Sequence, residues 1–222
     1  IGPMNLYDAV NHALTAISTG GYSTKNASIA YWHSAYIEYV ITIFMFIGAT
    51  NITLIYFCLN GNIKKLFFDE EFRWFFWFVL IMTGITTGWI MYHGFFTDFP
   101  TAFRQAAFQV VTLVSTCGFA TENYIPWGPF FWMIALILMF ICGCAGSTCG
   151  GLKMGRFVIL SKNLFNEFKK QTHPHAIIPV RMDSHIVSGE VVHRVLAFAF
   201  AYMSLIVLSC AVLMLDGLGF EE

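Results

Sequence analysis

The phrase Ser18-Thr19-Gly20-Gly21-Tyr22 returns 97 residues later as Ser115-Thr116-Cys117-Gly118-Phe119, each time behind a short amphipathic run and ahead of a long apolar one. The same shift pairs Ala9 with Ala106, Thr15 with Thr112, Thr24 with Thr121 and Asn26 with Asn123. Conservative pairs fill the gaps, among them His12 with Gln109, Leu14 with Val111 and Ile17 with Val114. One structural unit has been duplicated. A glycine-bearing phrase between a short helix and a membrane-length run has the layout of a re-entrant loop, and two copies imply a symmetric site built from equivalent pieces.

Composition sets the solvent. With 57% hydrophobic and only 11% charged residues, the chain carries more apolar surface than a soluble domain of 222 residues buries. A net charge of -1, with no basic stripe interleaved with aromatics, gives nucleic acid no footing. Four apolar segments, 37–59, 72–92, 127–144 and 195–215, have about the 20 residues that a span requires. Two shorter ones, 4–17 and 100–114, are too short and too polar to cross, and read as helices packed within protein. Pro100 suits a first helical turn. The fold class is therefore an all-α membrane protein of repeated helix, pore loop and helix units.

Cations fix the orientation. Lys64, Lys65 and Arg73 lie between the first two spans, and Lys153, Arg156, Lys162, Lys169, Lys170, Arg181 and Arg194 between the last two, so both connections face the cytoplasm. The opposite connections hold mainly Lys25 and Arg104, with Asp98, Glu122, Asp216, Glu221 and Glu222 as anions. Tyr31, Trp32, Tyr36, Trp89, Tyr92, Tyr124 and Trp127 read as an outer interfacial belt. Both glycine phrases then lie on the outer side.

A potassium filter replaces the ion's water with backbone carbonyls, so its loop needs small or flexible residues and a hydroxyl at the inner end. Ser18, Thr19, Gly20 and Gly21, with Ser115, Thr116, Cys117 and Gly118, supply these and are the candidate ion-binding residues. Rings of fourfold carbonyls need four loops, and this chain has two. Either two chains share one pore, or these residues are the middle of a longer polypeptide; half-finished units at each end favour the second. A third glycine-rich phrase, Gly146-Ser147-Thr148-Cys149-Gly150-Gly151, has no pore helix of its own and lies deeper. Irregular backbone at that depth survives where it lines a wet cavity or packs in protein. It is a candidate gating loop, with an ordinary helix kink as the competing reading.

These residues resemble the Trk/Ktr/HKT superfamily of potassium transporters, TrkH type, over essentially the whole chain. The resemblance implies four units around one pore. The phrase at Thr19 stands for the second unit's filter, that at Thr116, continued by Ala120-Thr121-Glu122-Asn123-Tyr124, for the third, and Gly146-Ser147-Thr148-Cys149-Gly150-Gly151-Leu152-Lys153 for an intramembrane gate. His173-Pro174-His175-Ala176, Pro179-Val180 and Val195-Leu196 resemble the cytoplasmic link into the fourth unit. Residues 1–71 then hold the second unit's pore helix, filter and inner helix, 72–192 the third unit, and 193–222 the first helix of the fourth. The family's filter glycine maps to Gly21 and Gly118, consistent with potassium; Cys117 occupies a variable position with its side chain directed away from the ion. Potassium is implied as the transported ion, with no organic cofactor. The lipid bilayer, the remaining pore units, a homodimer mate and a cytoplasmic nucleotide-binding regulatory subunit are the implied partners, and the bacterial inner membrane the location.

Other features have plainer readings. Thr50, Asn51 and Thr53, in a segment Gly48-Ala49-Thr50-Asn51 that resembles a family motif, read as interhelical hydrogen-bonding groups within a span, with ion contact as the competing reading. Gly84 and Gly88 form a small-xxx-small pattern expected to make a close helix contact. Glu122 is a candidate cation attractor at the outer mouth. Cys58, Cys117, Cys142, Cys144, Cys149 and Cys210 read as free thiols rather than a disulfide framework, and Cys142 with Cys144 lacks the further ligands of a metal site. His173, His175, His185 and His193 fit no common metal spacing. A membrane enzyme would need a nucleophile paired with a base in matching spans, and none appears. A nonconducting assembly subunit or a Na⁺-permeable transporter of the same architecture remain as alternatives, although idle duplicated filters weigh against the first.

Overall fold

The computed structural model describes residues 3–172 and 178–215. His173, Pro174, His175 and Ala176, and the anions Asp216, Glu221 and Glu222, lie outside the described residues. Two compact units divide the chain, Ile1–Gly155 and Arg156–Glu222.

In the first unit, α1 (Leu6–Ile17) is followed by a 3₁₀ turn (Ser28–Trp32), α2 (Ala35–Gly48), α3 (Ile52–Leu59), α4 (Ile63–Phe68), α5 (Glu70–Tyr92), α6 (Phe99–Val114), a second 3₁₀ turn (Ile125–Trp127) and α7 (Pro129–Phe140). The helix starts follow from local chemistry. Asn5 and Asp69 accept from the N–H groups of Asp8 and Phe72, both at 2.7 Å, capping α1 and α5. Pro100 and Pro129 sit in the first turns of α6 and α7. The sequence-predicted short helices at 4–17 and 100–114 are α1 and α6. Helix α6 forms the centre of the unit: α2, α5 and α7 all pack on it. Ala102 and Ala106 bring α6 close to Ile90 of α5 and Phe131 and Ala135 of α7. The outer ends of α2 and α6 are tied by Glu38, which accepts from Arg104 Nε at 2.8 Å and Gln105 Nε2 at 3.1 Å.

Five expectations need correction. The apolar segment 37–59 is not one straight span: α2 and α3 are bent by 107° at a break covering 49–51. Asn51 accepts from Thr53 N at 2.9 Å and starts α3, while Thr50 Oγ1 bonds back to Phe46 O at 2.9 Å, so both serve the break rather than an interhelical bond. In 127–144 the helix already ends at Phe140, six residues before Gly146, because Ile141 and Cys142 turn out to pair in parallel with Leu152 and Lys153. Gly84 and Gly88 face open space within this chain, and it is Thr83, Thr86 and Thr87 that turn inward. Trp127, expected in the belt, is only 3% exposed and packs against Phe131, while its carbonyl accepts from Trp89 Nε1 at 2.8 Å.

Helix α8 (Met154–Thr172) begins at the edge of the first unit and carries the chain into the second, which adds a small antiparallel ribbon, Arg181–Met182 with His185–Ile186, and α9 (Gly189–Leu215). Ile159, Val180 and Val192 form its core. Helices α5 and α9 are long and apolar enough to cross a membrane, and the bent α2–α3 pair makes a third if counted as one span. The chain is a multi-pass membrane protein.

Candidate functional site

Each glycine phrase begins where a short helix ends, and the two are built alike to the level of single bonds. Gly20 N donates to Thr15 O at 2.9 Å and Cys117 N to Thr112 O at 3.1 Å, partners related by the same shift of 97. Thr19 and Thr116 have φ of 54° and 56°, and Gly21 and Gly118 have 68° and 82°. A β-branched residue at positive φ is a strained outlier that persists only where its surroundings hold it. Here it occurs twice, at equivalent places. In an extended chain successive carbonyls point to opposite sides; left-handed residues at alternate positions change that pattern in both phrases alike.

The outer end of each phrase is braced to its own helix. Thr24 Oγ1 donates to Asp8 Oδ1 at 2.6 Å, and Thr121 Oγ1 to Gln105 Oε1 at 2.5 Å. Buried His12 adds contacts from Nε2 to Ser23 Oγ at 2.9 Å and from Nδ1 to the Asp8 carbonyl at 2.7 Å, and its ring stacks on Phe119 of the other repeat. The second phrase also meets the first repeat: Cys117 Sγ lies 3.6 Å from Ala16 O at the end of α1, and a Cβ at Gly21 would sit 1.7 Å from the Cys117 carbonyl oxygen. Beyond the phrases, Ala30 N donates to Ala120 O at 3.1 Å.

The third glycine phrase runs beneath both. Thr148 Oγ1 lies 3.2 Å from Thr19 Oγ1, 3.2 Å from Ile17 O and 3.3 Å from Gly48 O. Gly150 N donates to Thr116 Oγ1 at 3.1 Å. The loop thus bonds to the threonine of each repeat. Its neck is closed by the Ile141–Leu152 and Cys142–Lys153 pairs, and Gly146 and Gly151 adopt φ of 78° and 67°. The break between α2 and α3 interlocks with it: Cys144 N donates to Ala49 O at 2.8 Å and Ile52 N to Gly146 O at 3.3 Å. Lys153 Nζ reaches the Ser147 carbonyl at 3.2 Å and also the Cys149 carbonyl. Two interrupted helices therefore satisfy each other's backbone, which hydrocarbon would leave unpaired.

All fourteen residues singled out in the three phrases fall within this one assembly. Glu122 is exposed, and no three His, Cys, Asp or Glu side chains converge as metal ligands among the described residues. The sequence reading passed over Asp8, Glu38 and Glu71. For Asp8 a signal existed, since the shift of 97 pairs it with Gln105, two polar residues in otherwise amphipathic helices. Glu71 carries no such signal.

Paired re-entrant helices ending in matched glycine phrases, with a broken helix beneath, define a membrane protein of the repeated pore-loop class. Comparison with known proteins gives the family. The chain matches the TrkH cation transport protein family over residues 2–220 and belongs to it. It is 34% identical over 215 residues to the Trk system potassium uptake protein TrkH of Salmonella typhimurium, covering 96% of this chain and 44% of that protein. It is 34% identical to TrkG, a Trk system potassium uptake protein of Escherichia coli, covering 98% and 44%. The crystal structure of the potassium transporter TrkH from Vibrio parahaemolyticus superposes with a TM-score of 0.92 at 32% identity, over 97% of this chain and 47% of that one. The chain spans less than half the length of these relatives. It belongs to a family of transport proteins and is not an enzyme.

Proposed function

We propose that this chain supplies two of the four filter segments, and the gate, of a potassium uptake pathway. The carrying observation is the pair of phrases with left-handed residues at Thr19 and Gly21 and again at Thr116 and Gly118. Ser18, Thr19, Gly20 and Gly21 act with Ser115, Thr116, Cys117 and Gly118 as the potassium-coordinating backbone, and potassium is cargo rather than cofactor. The loop of Gly146, Ser147, Thr148, Cys149, Gly150 and Gly151 acts as the gate, and its bonds to Thr19 and Thr116 support that role. The relatives' names, all potassium uptake proteins, support the choice of ion. In this reading the protein works in a bacterial inner membrane with further pore units, as a homodimer, and takes its signal from a cytoplasmic nucleotide-binding subunit docking on the basic stretch 153–194.

The test is ⁸⁶Rb⁺ uptake with Na⁺ competition by the whole protein carrying Gly21→Ser or Gly118→Ser. Both substitutions weaken K⁺ over Na⁺ discrimination. Gly21→Ser does so more severely, because its Cβ meets a carbonyl oxygen while that of Gly118→Ser meets nothing within 4 Å and strains only the backbone. Unchanged discrimination in both variants removes these phrases from the filter.

A further inference from the structure

The loop between α7 and α8 has little secondary structure, so its backbone N–H groups need partners from elsewhere. One of them shares an oxygen with an N–H of the first turn of α8, ten positions on: Glu71 Oε1 accepts from Ala145 N at 2.6 Å and from Gly155 N at 2.7 Å. Ala145 lies where the chain enters the loop, and Gly155 where it leaves into the first turn of α8. Glu71 comes from the first turn of α5, more than seventy residues away in sequence, and is only 7% exposed. Charge-assisted bonds of this kind are about twice as strong as neutral ones. The fit is close, since a Cβ at Gly155 would stand 2.9 Å from the same Oε1. Lys153 acts with opposite charge on the middle of the loop, through the Ser147 and Cys149 carbonyls.

We infer that Glu71 is the latch of this loop, a positioning residue that holds both of its ends and thereby keeps Thr148 and Gly150 under the two filter threonines. The inference rests on the reading of the loop as a gate. The hydrogen bonds to the Thr19 and Thr116 hydroxyls come from Thr148 and Gly150, whereas Ala145 N and Gly155 N donate to Glu71, so Glu71 acts by fixing the loop's two ends. Because Gly155 belongs to α8, a displacement of that helix withdraws a donor from the carboxylate and weakens the hold on Ala145 at the same oxygen, which gives a cytoplasmic signal a direct route to the gate.

The test uses the whole protein in proteoliposomes, with ⁸⁶Rb⁺ uptake normalised to incorporated protein. Five variants are compared: Glu71→Ala, Glu71→Gln, Gly155→Ala, a deletion of 147–149, and that deletion combined with Glu71→Ala. Glu71→Ala raises uptake about tenfold, the change that corresponds to 1.4 kcal/mol of barrier, with Rb⁺ over Na⁺ preference unaltered. Glu71→Gln keeps an acceptor oxygen and gives a smaller rise. Gly155→Ala displaces the end of a flexible side chain without altering any loop residue, and reproduces the alanine phenotype; it decides alone if Glu71→Ala fails to fold. Adding Glu71→Ala to the deletion brings no further gain, since the loop is already gone. If the deletion raises uptake while folded Glu71→Ala and Gly155→Ala stay at or below wild type, the latch is wrong and the gate stands. A folded deletion with no gain in flux removes the gate reading, and the latch with it.

Discussion

Asp8 and Gln105 stand 97 positions apart, and each accepts a threonine hydroxyl, at 2.6 and 2.5 Å, from the turn beyond its glycine phrase. The geometry is repeated while the chemistry differs, a carboxylate in one copy and an amide in the other. Hydrogen bonds to charged groups contribute about 1.5–3 kcal/mol and neutral ones about 0.5–1.5. Thr24→Val is therefore expected to destabilise the purified protein by about 1 kcal/mol more than Thr121→Val, read as thermal unfolding midpoints in detergent; equal losses would mean that the carboxylate does not carry the difference. At this scale the sequence was legible where the repeat spoke. The shift of 97 found both threonines and all eight phrase residues, but only the folded backbone reveals that Thr19 and Thr116, not the glycines alone, adopt positive φ.

Breaks in helices, more than helices, organise the site. The end of α2 approaches the end of α1 so closely that a Cβ at Gly48 would stand 2.8 Å from Ile17 O, and one at Gly143 would stand 2.5 Å from Ala49 O. These neighbours are backbone atoms that cannot swing aside. Gly48→Ala and Gly143→Ala are thus expected to separate the interlocked breaks and lose transport together, while Gly84→Ala and Gly88→Ala, with open space around them, leave uptake near wild type. Normalised ⁸⁶Rb⁺ uptake distinguishes the two sets; loss in the second pair would place an unseen contact on that face of α5. Hydropathy could not reveal the break at 49–51. Gly48, Ala49, Thr50 and Asn51 are few enough polar or small residues to pass within an apolar run, and the partners that hold the bend lie far along the chain, in the bonds that Cys144 N donates to Ala49 O and Ile52 N donates to Gly146 O. The early end of α7 has the same origin, a parallel pairing of Ile141 with Leu152 that no local signal announces.

Across the whole molecule, the first unit buries polar groups beside its apolar core and leaves large apolar groups on its outside, the arrangement a hydrocarbon solvent selects. Asp8, His12, Glu38, Glu71, Gln105 and Gln109 are buried, while Trp77, Leu80, Ile81 and Leu136 are exposed. In α9 only 6% of the apolar window is buried within this chain. Buried charge of this kind is held by paired partners, as Glu38 is by Arg104, and its retention in an apolar medium marks where function is concentrated. Family membership and the matched phrases together make one claim central, that the two repeats contribute equivalent backbone to a single ion path. The most direct measurement is anomalous diffraction from crystals of the whole protein grown with Rb⁺ in place of K⁺. Peaks on a common axis beside the carbonyls of both 18–21 and 115–118 are the expected result. Rb⁺ bound beside one phrase only, or away from both, would contradict the account.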